Sequence, residues 1–392
     1  MALAALEIRD FRNLRNVACE FPASGAILIG PNGSGKTNLF EAIYYLEIFR
    51  SFRGARDPQL VRFGQDVFRI EAELRNGPRE RLAAAYQRTG GRKKVEVDGV
   101  EVERLADALG AVGAVVFGLD DAELIGGAPG RRRRFLNILL SLLEPAHMPA
   151  LQRYGAILGQ RNEALRARAE PAVVDAWTDG LVREGGRVME ARARWIAERS
   201  AAFGDYCAAI GSGARGSLRY EPALGRRAGA PAAQEAAGDD VSEPAVPADA
   251  GVWGERLRAA LADSADSERR RGATQVGPHR DDLVVTGEVD GEGVERDLRA
   301  YGSGGQRRTA AIALRLVEAD SLRDRRGREP IYLLDDVFAE LDAERSERVV
   351  HLLDEDRTGQ VLLTAPKPSD VPLRGGGLAA WTIRDGEVRT DG

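Results

Sequence analysis

Along this chain the spacing of apolar positions switches between strand-like and helix-like periods, and each switch predicts a change of element. Leu6, Ile8, Phe11 and Leu14 predict an edge strand and turn. Residues 26–29 form a short, wholly apolar run, which predicts a buried strand, and 39–49 carry the apolar period of a helix. Residues 67–74, 82–86 and 94–97 read as strands. Asp98-Gly99 is a hairpin turn from the last of these into 100–102, and 113–117 is a further buried strand.

From Pro129 to about Arg199 the period becomes helical throughout. Phe135, Ile138, Leu139 and Leu142 make one apolar face; Leu151, Tyr154, Leu158 and Leu165 a second; Trp177, Leu181, Val188 and Trp195 a third. Pro145, Pro149 and Pro171 punctuate the three helices, of which the last two are each roughly 30–40 Å long at the helical rise per residue. A helical subdomain is thus inserted into an α/β domain. Residues 225–251 are rich in Ala, Pro, Gly, Asp and Glu without an apolar period, the composition of a disordered linker. A helix over 252–262 follows, then strands near 283–286 and 296–299.

Between the strand at 26–29 and the next helix stands Gly30-Pro31-Asn32-Gly33-Ser34-Gly35-Lys36-Thr37. Strand, glycine-rich turn, Lys-Thr and helix together are the full context of a P-loop. Its glycines let backbone N–H groups turn towards phosphate oxygens, and the helix N-terminus adds a positive dipole end. Lys36 is expected to reach the β- and γ-phosphates, and the Thr37 hydroxyl to ligate Mg²⁺. The pattern implies binding of a nucleoside triphosphate.

The chain has 392 residues, 43% of them apolar and 30% charged, enough for two or three hydrophobic cores. No apolar stretch is long enough to cross a membrane, and the first twenty or so residues lack a signal-peptide pattern, so a cytoplasmic protein is expected. Cys19 and Cys207 stand in no metal-ligand spacing, and three histidines leave little room for a histidine metal site. The formal net charge of −5 excludes a uniformly basic nucleic-acid binder, so any such contact must come from local clusters.

The second half of a nucleotide site lies near the C-terminus. Tyr301-Gly302-Ser303-Gly304-Gly305-Gln306 opens a helix carrying Ile312, Leu316 and Ala319. Residues 331–334 then form an apolar strand ending in Asp335-Asp336. A carboxylate at that position suits Mg²⁺ coordination by Asp335, and Asp336 is placed to orient or deprotonate a water. Ala339-Glu340-Leu341-Asp342, a helix and a strand over 360–364 follow.

In this order the P-loop, the Ser-Gly-Gly-Gln stretch, the strand ending in two acids and the Leu-Asp loop resemble an ABC-type ATPase head. The helical insertion is similar to the SMC-like branch, though too short for an SMC coiled coil. Phe11-Arg12-Asn13-Leu14, Arg62-Phe63-Gly64, Arg132-Arg133-Arg134-Phe135-Leu136, Gly277-Pro278-His279-Arg280-Asp281-Asp282-Leu283 and Leu334-Asp335-Asp336-Val337 together resemble the RecF family of bacterial recombination mediators. The resemblance implies an α/β, ABC-type, SMC-like P-loop ATPase head with an inserted α-helical arm. Its expected parts are an N-terminal lobe at 1–125, an arm at 126–210 and a C-terminal lobe at 211–392. It also implies a homodimer formed on ATP, in which Ser303, Gly304 and Gly305 touch the partner's γ-phosphate and Asp342 lies at the seam. Arg12 and Asn13 join the nucleotide-binding set, and Lys36, Ser303 and Asp336 the catalytic one. The implied partners are DNA with gaps or single-/double-strand junctions and RecO- and RecR-type mediators, with slow ATP hydrolysis resetting the protein. Leu119 stands where relatives usually have proline, and Ala365-Pro366 where a polar γ-phosphate switch is usual. A transporter ATPase subunit and an ATP-clamped scaffold are the competing functions.

Basic clusters supply the candidates for DNA contact: Arg53 and Arg56 beside Arg50, and Arg92-Lys93-Lys94 before the hairpin. Arg131 to Arg134 open a helix, where the dipole disfavours cations; Asp120, Asp121, Glu123 or a phosphate would offset them. His279 is read as leaning towards the nucleotide site.

Overall fold

The computed structural model describes residues 1–211, 213–225, 249–289, 294–354, 359–371 and 378–390. They form two compact units: 1–122 with 206–214 and 304–392, and 123–205 with 215–303.

The first unit holds two sheets. One is antiparallel, in the order Leu14–Glu20, Ala2–Phe11, Val67–Arg75, Arg81–Gln87, Arg92–Val97, Val100–Glu101. Its strands alternate buried and exposed side chains, as a sheet with one wet face must. The expected edge strand at the N-terminus is a correction: Ala2–Phe11 pairs on both sides and Leu14–Glu20 takes the edge. The Asp98-Gly99 turn has φ of 51° and 81°, the double positive φ of a type I′ hairpin.

The second sheet runs Glu387–Thr390, Ala379–Arg384, Gly25–Ile29, Val361–Ala365, Ile331–Asp335, Ala114–Gly118. All its pairings are parallel except the terminal hairpin. Neighbouring strands come from opposite ends of the chain, so no local pattern announces their order. At Gly25 (φ 114°) a Cβ would lie 1.7 Å from the Val361 carbonyl oxygen; only glycine allows that approach. The helix Lys36–Ile48 is buried on nearly every side, because it meets strands of both sheets. Gln360 ties the sheets together: its amide accepts from Leu3 N–H (2.8 Å) and donates to the carbonyls of Leu3 (3.0 Å) and Pro22 (2.8 Å). Such a buried amide is tolerated only because its partners are present.

The second unit packs the helices Pro129–Leu143, His147–Arg166, Thr178–Ile210 (as far as Asp205) and Ala250–Arg271 with an antiparallel sheet of Gly216–Glu221, Asp282–Glu288 and Glu295–Asp297. Its core joins Tyr154, Leu181, Val182 and Met189 to Trp253, Leu257, Leu261 and Val276. Residues 215–303, assigned from sequence to the C-terminal lobe, therefore cluster with the helical arm. Thr178–Ile210 has 33 residues, about 50 Å at the helical rise and longer than expected. Trp177 precedes that helix and stays exposed. Most of the 225–251 linker (226–248) lies outside the described residues; Asp249 caps, and Ala250 and Gly251 begin, the helix Ala250–Arg271.

Candidate nucleotide site

The parallel sheet brings the P-loop and the paired acids together at the carboxyl ends of its strands, where α/β sheets build their sites. Val361–Ala365 lies between the P-loop strand and the acid-bearing strand, in the register Asp335↔Thr364↔Leu28. Gly33 (φ 81°) and Gly35 (φ 116°) hold the P-loop turn.

Lys36 is 4% exposed. Its Nζ donates to the carbonyls of Gly30 (2.8 Å) and Pro31 (3.4 Å) and lies 3.8 Å from Asp336. Thr37 Oγ1 donates to Asp335 Oδ1 at 3.1 Å. Burial pushes the Asp335 carboxyl up to about 6, against the opposing hydrogen bonds from Thr37 and Thr364, and Asp336 adds like-charge repulsion. Asp336 sits in the left-handed region (φ 51°), unusual for a non-glycine residue.

Thr364 was missed by sequence reasoning, and it connects the two acids. Its Oγ1 accepts from the Asp336 N–H (2.9 Å) and has a single proton to donate, lying 2.9 Å from Asp335 Oδ1 and 3.3 Å from Asp336 Oδ1. The nearer oxygen takes it. A hydroxyl inside an otherwise apolar strand beside the paired acids was the available signal. The hydroxyl precedes Ala365-Pro366, so a polar group adjoins the acids even though the following two positions carry no polar side chain.

The remaining site residues fall into place unevenly. Asn13 donates to the Gly33 carbonyl (3.4 Å) and accepts from Asn38 (2.8 Å), lining the P-loop from the first sheet. Arg12 is held in a bidentate pair with buried Glu41, both contacts 2.9 Å, and Ser51 also donates to Glu41. Arg53 reaches Asn38 (3.3 Å) and Glu41 (3.8 Å) and is half exposed. Gly304 and Gly305 open the helix Gly304–Arg326, with exposed Ser303 just before it. Asp342 accepts from Arg345 N–H (2.8 Å) at the start of the helix Ala343–Asp354 and pairs with the Arg345 side chain (3.4 Å). Glu340 is bound by Arg308. In the 3₁₀ turn Leu119–Asp121, Asp121 accepts the Gly118 N–H (2.8 Å), so the turn forms with leucine in place of proline.

Two expectations are corrected, and a third is met in part. Lys93 turns inward: its side chain is 18% exposed, donates to the Phe49 carbonyl (2.6 Å), pairs with Asp57 (2.8 Å) and lies over the Tyr45 ring. His279 hydrogen-bonds the Tyr154 hydroxyl at Nδ1 (2.7 Å) and meets the Thr274 carbonyl at Nε2 (3.2 Å), and burial lowers it to about 4. Both of its nitrogens are used inside the helical unit. Of the acids named from the sequence for the arginine run, Glu123 stands beside it. Arg131 lies 4.0 Å from Glu123 and buried Arg132 forms a bidentate pair with Asp282 (2.7 and 2.8 Å). Arg133 donates to the Asp281 carbonyl (2.8 Å), and Asp121 instead pairs with Arg315.

The chain matches the model of the RecF/RecN/SMC N-terminal domain over residues 2–371. It is 35% identical to the DNA replication and repair protein RecF of Salinibacter ruber, covering 94% of this chain and 85% of that protein. The RecF of Chloroflexus aurantiacus is 37% identical, covering 98% of each. The chain belongs to the RecF family. A solved structure of the recombination mediator RecF with ATP covers 99% of both chains at a TM-score of 0.83 and 27% identity. An SMC head bound to the C-winged-helix domain of ScpA is 16% identical with a TM-score of 0.54, a likeness of fold alone. RecF membership thus extends the SMC-like ATPase-head fold over nearly the whole chain. Among the described residues no helix is long and apolar enough to cross a membrane.

Proposed function

We propose that this chain is an ATP-switched DNA-binding protein of recombinational repair and replication. The observation that carries the reading is the convergence of Lys36, Thr37, Asp335, Asp336 and Thr364 at adjoining strand ends. The site fits a nucleoside triphosphate with Mg²⁺. Ser34 Oγ is buried without a hydrogen-bond partner, and Gly33 faces open space, as a phosphate cradle requires. Among the described residues no cluster of three or more His, Cys, Asp or Glu can hold a metal. A hard cation would therefore take Thr37 and Asp335 and complete its shell with phosphate oxygens and water. The cation supplies charge neutralisation at the phosphates. Lys36 binds phosphate, Asp336 orients and deprotonates water, and Thr364 holds both acids in position. Two ATP-bound protomers would complete each other's sites through Ser303, Gly304, Gly305 and Asp342, as the family resemblance implies. RecO- and RecR-type partners follow from the pathway in which the solved relative acts. The test is ATPase activity with and without gapped DNA: stimulation supports the reading, and indifference to DNA overturns it.

Asp336→Asn is expected to keep ATP and Mg²⁺ binding and to slow hydrolysis by about 10²–10⁴-fold, the usual contribution of a general base, leaving the ATP-bound dimer trapped. Turnover equal to wild type would move the base elsewhere, although Arg308 already binds Glu340, the other acid nearby in sequence.

DNA binding is expected to weaken steeply with salt, since an acidic protein depends on a few clustered phosphate contacts. Arg53, Arg56, Arg92 and Lys94 remain the candidates, Lys94 also pairing with Glu96 (2.7 Å). Reversing Arg56 and Arg92 together should flatten the log–log salt slope on duplex by about 1.8. An unchanged slope would leave both as solvated surface.

A further inference from the structure

Phe63 is 99% exposed, more than any other large hydrophobic among the described residues. Its exposure is built in. Gln65 N–H donates to the Arg62 carbonyl (3.0 Å) and Gly64 has φ 81°, so Phe63 occupies the first central position of a tight turn whose second requires glycine. The turn is anchored on both sides. Arg12 N–H donates to Leu60 (2.7 Å), Arg62 N–H to Asp10 (2.8 Å) and Arg88 N–H to Asp66 (2.7 Å), and Phe11 bridges to Val61. A naked aromatic ring thus stands on a rigid base, and little ordering entropy opposes a partner that stacks on it.

The surroundings favour an anion. Arg88 donates to the carbonyls of Pro58 and Val61 (both 3.2 Å) and forms no ion pair among the described residues. Beside the hydrogen bonds from Thr89 and Gln87, its charge helps lower the Asp66 carboxyl, and Arg62 pairs only distantly with Asp10 (3.5 Å). Among the described residues no carboxylate lies within 4.0 Å of Arg56 or Arg88. The nearest acids are engaged: Asp57 by Lys93 and Tyr45, and Asp66 by Thr89 and Gln87. Val67, four residues on, is the only other exposed large hydrophobic close by in the chain. An exposed aromatic ring on a turn whose flanking residues carry arginines is the composition that holds single-stranded nucleic acid, with bases on the ring and phosphates on the cations.

We propose that Phe63 stacks on an unpaired nucleobase, with Arg56, Arg62 and Arg88 holding the adjacent phosphates. The proposal rests on the DNA-binding reading above and supplies its preference for unpaired strand over intact duplex. The experiment measures ATP-dependent binding of the full chain to a gapped duplex and to a blunt duplex of equal length. Phe63→Ala should lose roughly 5- to 150-fold on gapped DNA, the range for one base-stacking aromatic, and less than twofold on blunt duplex. Phe63→Trp should retain gapped-DNA affinity and Phe63→Leu should not. The salt slope should be unchanged in all three, because no charge is removed. A 2-aminopurine placed in the gap should be quenched by wild type and by Phe63→Trp only. Equal loss on both DNAs, or full activity of Phe63→Leu, would overturn stacking in favour of a plain apolar contact such as a protein partner. Wild-type affinity of Phe63→Ala for gapped DNA would overturn the proposal while leaving the DNA-binding reading intact. If wild type binds neither DNA with ATP, that reading fails first and the proposal with it.

Discussion

Ser303→Arg protein is expected to bind ATP about as well as wild type and to remain monomeric when it does. Everything shown to build the P-loop side of the site lies elsewhere: Lys36, Thr37, Asp335, Asp336 and Thr364 are joined by their own hydrogen bonds and ion pair. Ser303 stands exposed immediately before the helix Gly304–Arg326, whose N-terminal N–H groups and dipole suit an anion. Gly304 has open space at its α-carbon, whereas a Cβ on Gly305 would meet the Arg345 guanidinium at 2.6 Å, so the helix start is bare on one side and crowded on the other. In the proposed dimer, arginine at 303 would fill the space that the partner's γ-phosphate is to take. Light scattering with ATP should show loss of the dimer, and ATP-dependent DNA binding should fail with it. Mixing Ser303→Arg with Lys36→Met protein makes the arrangement decisive. A mixed dimer holds one intact composite site, built from Lys36 of the first variant and Ser303 of the second. Partial recovery of ATPase activity supports a serine acting across the dimer. Loss of ATP binding by the Ser303→Arg monomer would place the serine in its own site.

Lys36→Met is expected to lose ATP affinity by roughly 10²–10⁴-fold, with the fold retained. Hydrogen bonds to charged groups contribute about 1.5–3 kcal/mol each, and in the proposed site the ammonium would reach two phosphates. In the structure Nζ is satisfied by the Gly30 and Pro31 carbonyls and stands 3.8 Å from Asp336, so it is already directed into the loop that phosphate would enter. Methionine keeps an unbranched side chain one atom shorter and removes the ammonium, both its charge and its donors to Gly30 and Pro31. Titration with a fluorescent ATP analogue measures the loss, and an unchanged melting temperature excludes unfolding as its cause. Unaltered affinity would remove the P-loop from the nucleotide site.

Much of this site was legible in the chain because its chemistry is local. Gly33 and Gly35 adopt the positive φ that a phosphate-cradling turn requires, and Lys36 and Thr37 begin the helix as their spacing implied. Asp335 ends an apolar strand as the sequence implied, and burial displaces its carboxyl upwards. The Asp98-Gly99 hairpin was equally plain. Surface function was less legible, since a run of basic letters does not say which way each side chain turns. Lys93 alternates inward on its strand to meet Asp57 and the face of Tyr45, while Arg92 and Lys94 on either side point out.

By itself the sequence determined the P-loop and hairpin turns, the start of the P-loop helix and the residue types of the candidate phosphate and cation positions, because these depend on backbone sterics and short spacings. Tertiary structure alone decided the strand order, which sets Gly25–Ile29 beside Val361–Ala365 and makes Thr364 the link between the acids. It also decided that Arg132 faces Asp282, that His279 is used by Tyr154 and Thr274, and that 215–303 cluster with the helical arm. Parallel strands and buried ion pairs join residues that are far apart in the chain, and their partners are selected by burial and register, which leave no period in the sequence to read.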